Sequence, residues 1–169
     1  MMLQLKRLDP NTLTHAMQLV TECYDREVRA GHRDADYEND WMLEYSKFKR
    51  VAYGYPYVGL VGYRGNNPVA ISLLTASPVY GDGWGVFSWF YVTPSLKVTN
   101  FPKRLARDTV KAGREMGMDH LVAYVAVEND PVKRMMGMIG MKPVEVEYRG
   151  CLSDMDGWIR EETVPGKGS

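Results

Sequence analysis

YVTPSLKVTNFPKRLARD, Tyr91 to Asp108, is the stretch on which the fold turns. Apolar residues from Trp89 to Val92 read as the end of a strand. A short polar loop follows, and then a helix carrying a row of cations. A strand that hands over to a helix in this way leaves unpaired N–H groups and the positive end of the helix dipole at one point, which suits an anion. The loop holds no glycine, the residue such loops use for positive φ and for close backbone approach. Val98 is β-branched and resists positive φ. Asn100 tolerates a left-handed conformation, which can stand in for glycine at that position. Pro102 has no N–H to give. These losses are expected to weaken anion binding roughly ten- to a thousandfold, at about 1.5–3 kcal/mol for each hydrogen bond to a charged group.

Outward from the loop, the pattern is one of alternating layers. LQLKRL (3–8) reads as a first strand, and residues 9–31 as a helix with Leu13, Ala16, Met17, Val20, Tyr24 and Val28 at spacings of three and four. Asn11 or Thr12 is placed to cap it and Gly31 to end it. Residues 34–50 read as a second helix with Trp41, Tyr45 and Phe48 on one side. YVGLVGYRG (57–65) turns at Gly65-Asn66-Asn67-Pro68 into VAISLLTASPVY, a hairpin signal. Gly81-Asp82-Gly83 leads into WGVFSWFYV (84–92), apolar on both faces and so expected inside the sheet. The cationic helix spans 102–117, with Leu105, Thr109, Val110 and Met116 as its buried side. HLVAYVAV (120–127) is a strand, NDPVKRMMGMIG a short helix with Pro131 in its first turn, and residues 142–152 and 156–164 a closing hairpin. The helix between two strands makes a crossover, which sets those strands parallel. The expected class is α/β (α+β), a mixed, mostly antiparallel sheet with helices on both faces in the order βααβββαβαββ. It forms a single domain over 1–164 with a flexible tail at 165–169.

The bulk numbers bound the function. The chain has 169 residues, 45% hydrophobic and 25% charged, enough for one core and its cover. Lys+Arg and Asp+Glu both number 21, so the net charge is zero and a broad nucleic-acid surface is not favoured. Cys23 and Cys151 read as reduced thiols rather than a disulfide. His15, His32 and His120 share no ligand spacing, so no metal is expected. No window has the length or apolarity of a signal or a membrane span. A cytoplasmic protein is expected.

With these residues in this order, the chain resembles the GCN5-related N-acetyltransferase (GNAT) superfamily. FYVTP, Phe90 to Pro94, stands where the family's fourth strand ends L-x-V-x-P. Lys97 holds the place of an Arg or Gln three residues on, and Val98, Asn100 and Pro102 hold the places of glycines. In a second motif, Asn129, Val132, Met136, Gly140 and Met141 keep the family's spacing, with methionine in place of its Tyr and Phe. The resemblance implies an acetyl-CoA-dependent N-acyltransferase acting on an amine of a small molecule or a protein. The cofactor would lie where two parallel strands part, against the edge at Tyr91 and Val92. Its diphosphate would sit among Lys97, Val98, Thr99, Asn100, Lys103 and Arg104, and Asn129 would help position its arm.

Each of these residues also has an ordinary role. Arg104, Arg107, Lys111 and Arg114 form one stripe that suits a solvated helix face. Asn129 can cap the helix before Pro131. Met135, Met136, Met138 and Met141 can fill a core or serve an adaptable apolar surface. In many family members a Glu on the fourth strand takes the amine proton and the Tyr of the second motif protonates the thiolate. Ser88 and Met136 stand near those places here. Tyr91 and Tyr124 flank the cleft as substitutes or as sheet packing. Glu22, Asp25 and Glu27 either face a cationic substrate or solvate the first helix. The alternative reading is a catalytically silent domain of the same fold, used for assembly with a protein partner or with its own copies, as in a phage virion component.

Overall fold

In a computed structural model, residues 2–124, 130–138 and 140–144 are described. Their elements run β1 (Leu3–Arg7), α1 (Leu13–Arg29), α2 (Glu38–Ala52), β2 (Tyr57–Arg64), β3 (Asn67–Ala76), β4 (Trp84–Val92), a 3-10 turn (Pro94–Leu96), α3 (Phe101–Glu115), β5 (His120–Val122) and α4 (Asp130–Met138). This matches the expected order up to the closing hairpin. Of that hairpin, Lys142–Val144 carry no regular structure, and the rest, with the tail, lies outside the described residues.

One sheet in the order β1-β2-β3-β4-β5 organises the chain. Its first three pairings are antiparallel and β4–β5 is parallel, as a crossover through α3 requires. Alternation along each strand separates two faces. Val61, Tyr63, Ile71, Leu73 and Tyr91 point to one core, closed by Leu13, Met17, Val20 and Tyr24 of α1 and Phe48 and Val51 of α2. Leu60, Ala70 and Val92 point to the other, closed by Leu96, Phe101 and Leu105. There the buried Ser72 and Thr109 hydroxyls pair at 2.5 Å, and Thr109 also donates to the Leu105 carbonyl at 2.6 Å, so no polar atom of either side chain is stranded.

Three local expectations are corrected. Thr12 stands at the start of α1 but makes no side-chain cap. Asp9 does that work one turn earlier, its Oδ1 accepting from the Asn11 and Thr12 N–H groups, while Thr12 Oγ1 donates to the Arg7 carbonyl. Met116 is exposed, because α3 ends at Glu115, and Met118 fills the core in its place. Of the strand expected over 120–127, His120–Val122 pair with β4, Ala123 and Tyr124 carry no regular structure, and 125–127 lie outside the described residues; β4 is irregular beside this point. There the register with β3 passes from Leu74↔Phe87 to Leu73↔Trp89, so Ser88 is an extra residue. Such a bulge bends its strand and ends regular pairing beside it.

Candidate acyl-CoA cleft

Beside the bulge the pairing of β4 with β5 stops among the described residues. Trp84, Gly85 and Val86 pair with His120, Leu121 and Val122, and beyond them the β5-facing edge of β4 has no strand partner among the described residues. The residues Val86 to Phe90, apolar but for Ser88 and inside the sheet, are consequently all half-buried rather than buried. Among the described residues the parallel pairing of β4 with β5 stops at Val86 and Val122.

The loop at the end of β4 reaches its shape without glycine. No non-glycine residue in the described chain has positive φ. Asn100 is right-handed at φ −76°, so its tolerance of the left-handed region is not used, and Lys97 lies at φ −62°. Right-handed turns suffice because Leu96 anchors the loop: it is 2% exposed and joins the core beneath α3. Thr99 Oγ1 donates to the Leu96 carbonyl at 2.7 Å and accepts from the Phe101 N–H at 3.2 Å. Val98 points away from all this, 92% exposed, so its β-branch neither strains the backbone nor fills the site.

Several donors are left over. The N–H groups of Val98, Asn100 and Lys103 make no hydrogen bond among the described residues, whereas those of Lys97, Thr99 and Arg104 are satisfied within the turns. Thr93 Oγ1, at the start of the loop, is a buried hydroxyl without a partner there. Lys97 and Lys103 are exposed and enter no ion pair among the described residues. Arg104 is committed elsewhere: Nη1 donates to the Leu3 carbonyl at 3.3 Å and Nε lies 3.7 Å from Asp108. Unbonded N–H groups at a helix start, an orphaned hydroxyl and two uncommitted ammonium groups suit a diphosphate.

On the sheet face under α1 and α2, the polar groups of β4 are taken up. Ser88 and Thr75 share a hydrogen bond of 2.5 Å. Trp89 Nε1 donates to Glu44 Oε2 at 2.6 Å and Tyr91 Oη donates to Glu22 Oε1 at 2.8 Å. Burial, then the Glu22 carboxylate, pushes the Tyr91 phenol well above its ordinary range. Glu22, read as solvating α1 or facing substrate, thus holds a buried tyrosine of β4. Glu44 was not singled out by the sequence: the heptad-like spacing of α2 shows its aromatic side but not what a neighbouring carboxylate would meet. Tyr124, two residues past the end of β5, is 68% exposed. Met136 is buried on α4, and Asn129 and Cys151 lie outside the described residues. No three His, Cys, Asp or Glu side chains converge on a metal site among the described residues. No helix there is long and apolar enough to cross a membrane.

Cys23 of α1 is half-buried, and burial, with Glu27 next, pushes its thiol up to about 11 against the opposing Arg33 and Lys97. Burial also pushes the Tyr24 phenol up to about 12, with Glu44 adding to it. Unfolded chains ionise these groups first, so their stabilisation is full below about pH 9 and is lost as pH rises through the folded values. Denaturant titrations should show stability falling between pH 9 and 11. Cys23→Ser should remove on the order of 1–2 kcal/mol of that fall, allowing for partial exposure. An unchanged slope would contradict this placement of the thiol.

Solved structures share this architecture. AAC(6')-Iy bound to the bisubstrate analogue CoA-S-monomethyl-acetylneamine superposes with a TM-score of 0.68 at 11% identity, over 89% of this chain and 99% of that one. The PaiA N-acetyltransferase of Thermoplasma acidophilum in complex with coenzyme A gives 0.68 at 16% identity, over 87% and 94%. The aminoglycoside 6'-N-acetyltransferase AAC(6')-IG of Acinetobacter haemolyticus gives 0.62 at 17%, over 88% and 97%. No family model and no curated protein sequence matches the chain. The chain has the fold of the GNAT acetyltransferases, and the resemblance read from FYVTP and its flanking elements holds at that level.

Proposed function

We propose that the chain is an acetyl-CoA-dependent N-acyltransferase whose acceptor is an amine. The observation that carries this reading is the helix start with unbonded N–H groups after β4, beside the point where the pairing of β4 with β5 stops among the described residues. The shared fold with CoA-bound acetyltransferases supports it. Val98, Asn100 and Lys103 would hold the diphosphate through their backbone N–H groups, with the Lys97 and Lys103 ammonium groups and the Thr99 loop beside it. The edge of β4 at Tyr91 and Val92, which has no strand partner among the described residues, would align the pantetheine arm, and Asn129 remains a candidate for the far side. Bound acetyl-CoA would supply an activated thioester. Tyr124, exposed where β5 ends, is the candidate to give the departing sulfur its proton. Ser88 and Tyr91 serve as positioning groups, since their hydroxyls are bonded to Thr75 and Glu22.

Those engaged hydroxyls also favour the second reading, a silent domain that keeps the cofactor fold for assembly. Calorimetry with acetyl-CoA, followed by release of free thiol in the presence of neamine or 1,4-diaminobutane, separates the two. Binding with thiol release supports the transferase. No heat at millimolar acetyl-CoA ends it.

A further inference from the structure

The bulge in β4 also decides which carboxylate its next residue meets. Ser88, the extra residue, spends its hydroxyl on Thr75. The next residue, Trp89, points its indole N–H at Glu44 Oε2, 2.6 Å away. The Trp89 ring is fixed from both sides, by Tyr24 of α1 at 5.7 Å and Phe48 of α2 at 6.1 Å between centroids. Tyr24 is itself held under the Arg33 guanidinium at 3.7 Å, and Arg33 is tied to Glu27 and Asp40. Glu44 is therefore held by a rigid donor at the first residue past the bulge. Its side chain is 14% exposed, the least of the ion-paired carboxylates among the described residues. Among the described residues its second oxygen meets only Lys47 Nζ, at 3.0 Å, on a flexible side chain that is 40% exposed. An ammonium from solution can take the place of that lysine; the indole cannot move away.

Resting on the transferase reading, we infer that Glu44 is the group that receives the acceptor ammonium and takes its proton, from α2 rather than from β4. Glu44 accepts one proton from the ammonium and later gives it to water. The freed amine forms the C–N bond as the C–S bond of the thioester breaks, and the second N–H proton leaves with the sulfur. A carboxylate that is shielded, anchored on one oxygen and exchangeable on the other is what this step needs. Among the described residues Lys47 pairs with it from its own helix, and it opposes ionisation of the Tyr24 phenol from α1, a group on which Asp40 and Glu27 act in the same sense and Arg33 in the opposite one. From β4 it meets the indole of Trp89, which does not titrate in this range.

The test compares wild type and Glu44→Gln, which keeps an oxygen for the indole, in acetyl transfer to neamine and to 1,4-diaminobutane. Calorimetry with acetyl-CoA and a melting curve are run on the same samples. The inference expects Glu44→Gln to bind acetyl-CoA and melt as wild type does, and to lose about 100-fold or more in kcat/KM at pH 7. Its rate should then climb about tenfold per pH unit with the fraction of free amine, closing most of the gap near pH 9.5. Glu44→Asp should recover part of the loss at pH 7. A purely structural role would lower both proteins' ratio equally at every pH, and that result overturns the inference while leaving the transferase reading intact. Wild type that binds acetyl-CoA yet transfers to neither amine also overturns it. Wild type that binds no acetyl-CoA removes the transferase reading itself.

Discussion

Leu96→Ala should cost about 2–4 kcal/mol of stability, the usual range for truncating a fully buried leucine, and should also weaken acetyl-CoA binding. The side chain is 2% exposed and packs with Val92, Phe101 and Leu105, so it ties the loop to both the strand before it and the helix after it. Glycine-rich loops hold their shape through backbone conformations that other residues avoid. This loop has none of those conformations and holds its shape through one apolar anchor. Removing the anchor frees the turn from Pro94 to Asn100, and binding must then order it again. Urea unfolding and an acetyl-CoA titration under native conditions measure the two effects. Leu96→Met, which conserves volume, should cost less than about 1.5 kcal/mol and leave affinity near that of wild type. Equal affinity in Leu96→Ala would show that the loop is not shaped by this contact.

Lys97→Glu combined with Lys103→Glu should move stability and affinity in opposite directions. Both side chains are exposed, so their direct contribution to folding is small. Lys103 is the third residue of α3 and opposes the helix dipole, so Glu there should favour the helix by about 0.3–1 kcal/mol. Toward a diphosphate the same change replaces attraction by repulsion. Each charge-assisted hydrogen bond is worth about 1.5–3 kcal/mol, which makes a loss of roughly a hundredfold or more in acetyl-CoA affinity the expected result. Thermal melting without ligand and calorimetry with it read the two quantities separately. The wild-type affinity should also fall between low and high salt more steeply than that of the double variant. A double variant that loses stability and keeps its affinity would place the diphosphate elsewhere.

The fold was legible because its signals are local and mutually consistent. Period-four apolar spacing gave α1, the Gly65-Asn66 turn gave the β2–β3 hairpin, and the helix after Val92 fixed the parallel pairing of β4 with β5. The site was legible in part. Lys97, Lys103 and the loop backbone follow from position in the chain, since a helix start collects donors whatever its side chains are. The absence of glycine shows a missing conformational freedom, but sequence does not show that the loop takes right-handed turns over a buried Leu96. Ser88 illustrates a second gap. A bulge shifts each later residue to the other face, and nothing in WGVFSWFYV marks where the shift falls. Without it, the partnerships of Trp89 with Glu44 and Tyr91 with Glu22, which join residues 45 and 69 positions apart, have no signal in the sequence.

The most direct measurement is a two-dimensional amide NMR titration of the isotope-labelled chain with coenzyme A and, separately, with pantetheine, which lacks the phosphates. If the glycine-free loop cradles a diphosphate, the Val98, Asn100 and Lys103 N–H signals should move downfield together with coenzyme A and stay in place with pantetheine. Coenzyme A that leaves all three unmoved at millimolar concentration, or that shifts them no more than pantetheine does, would contradict the account.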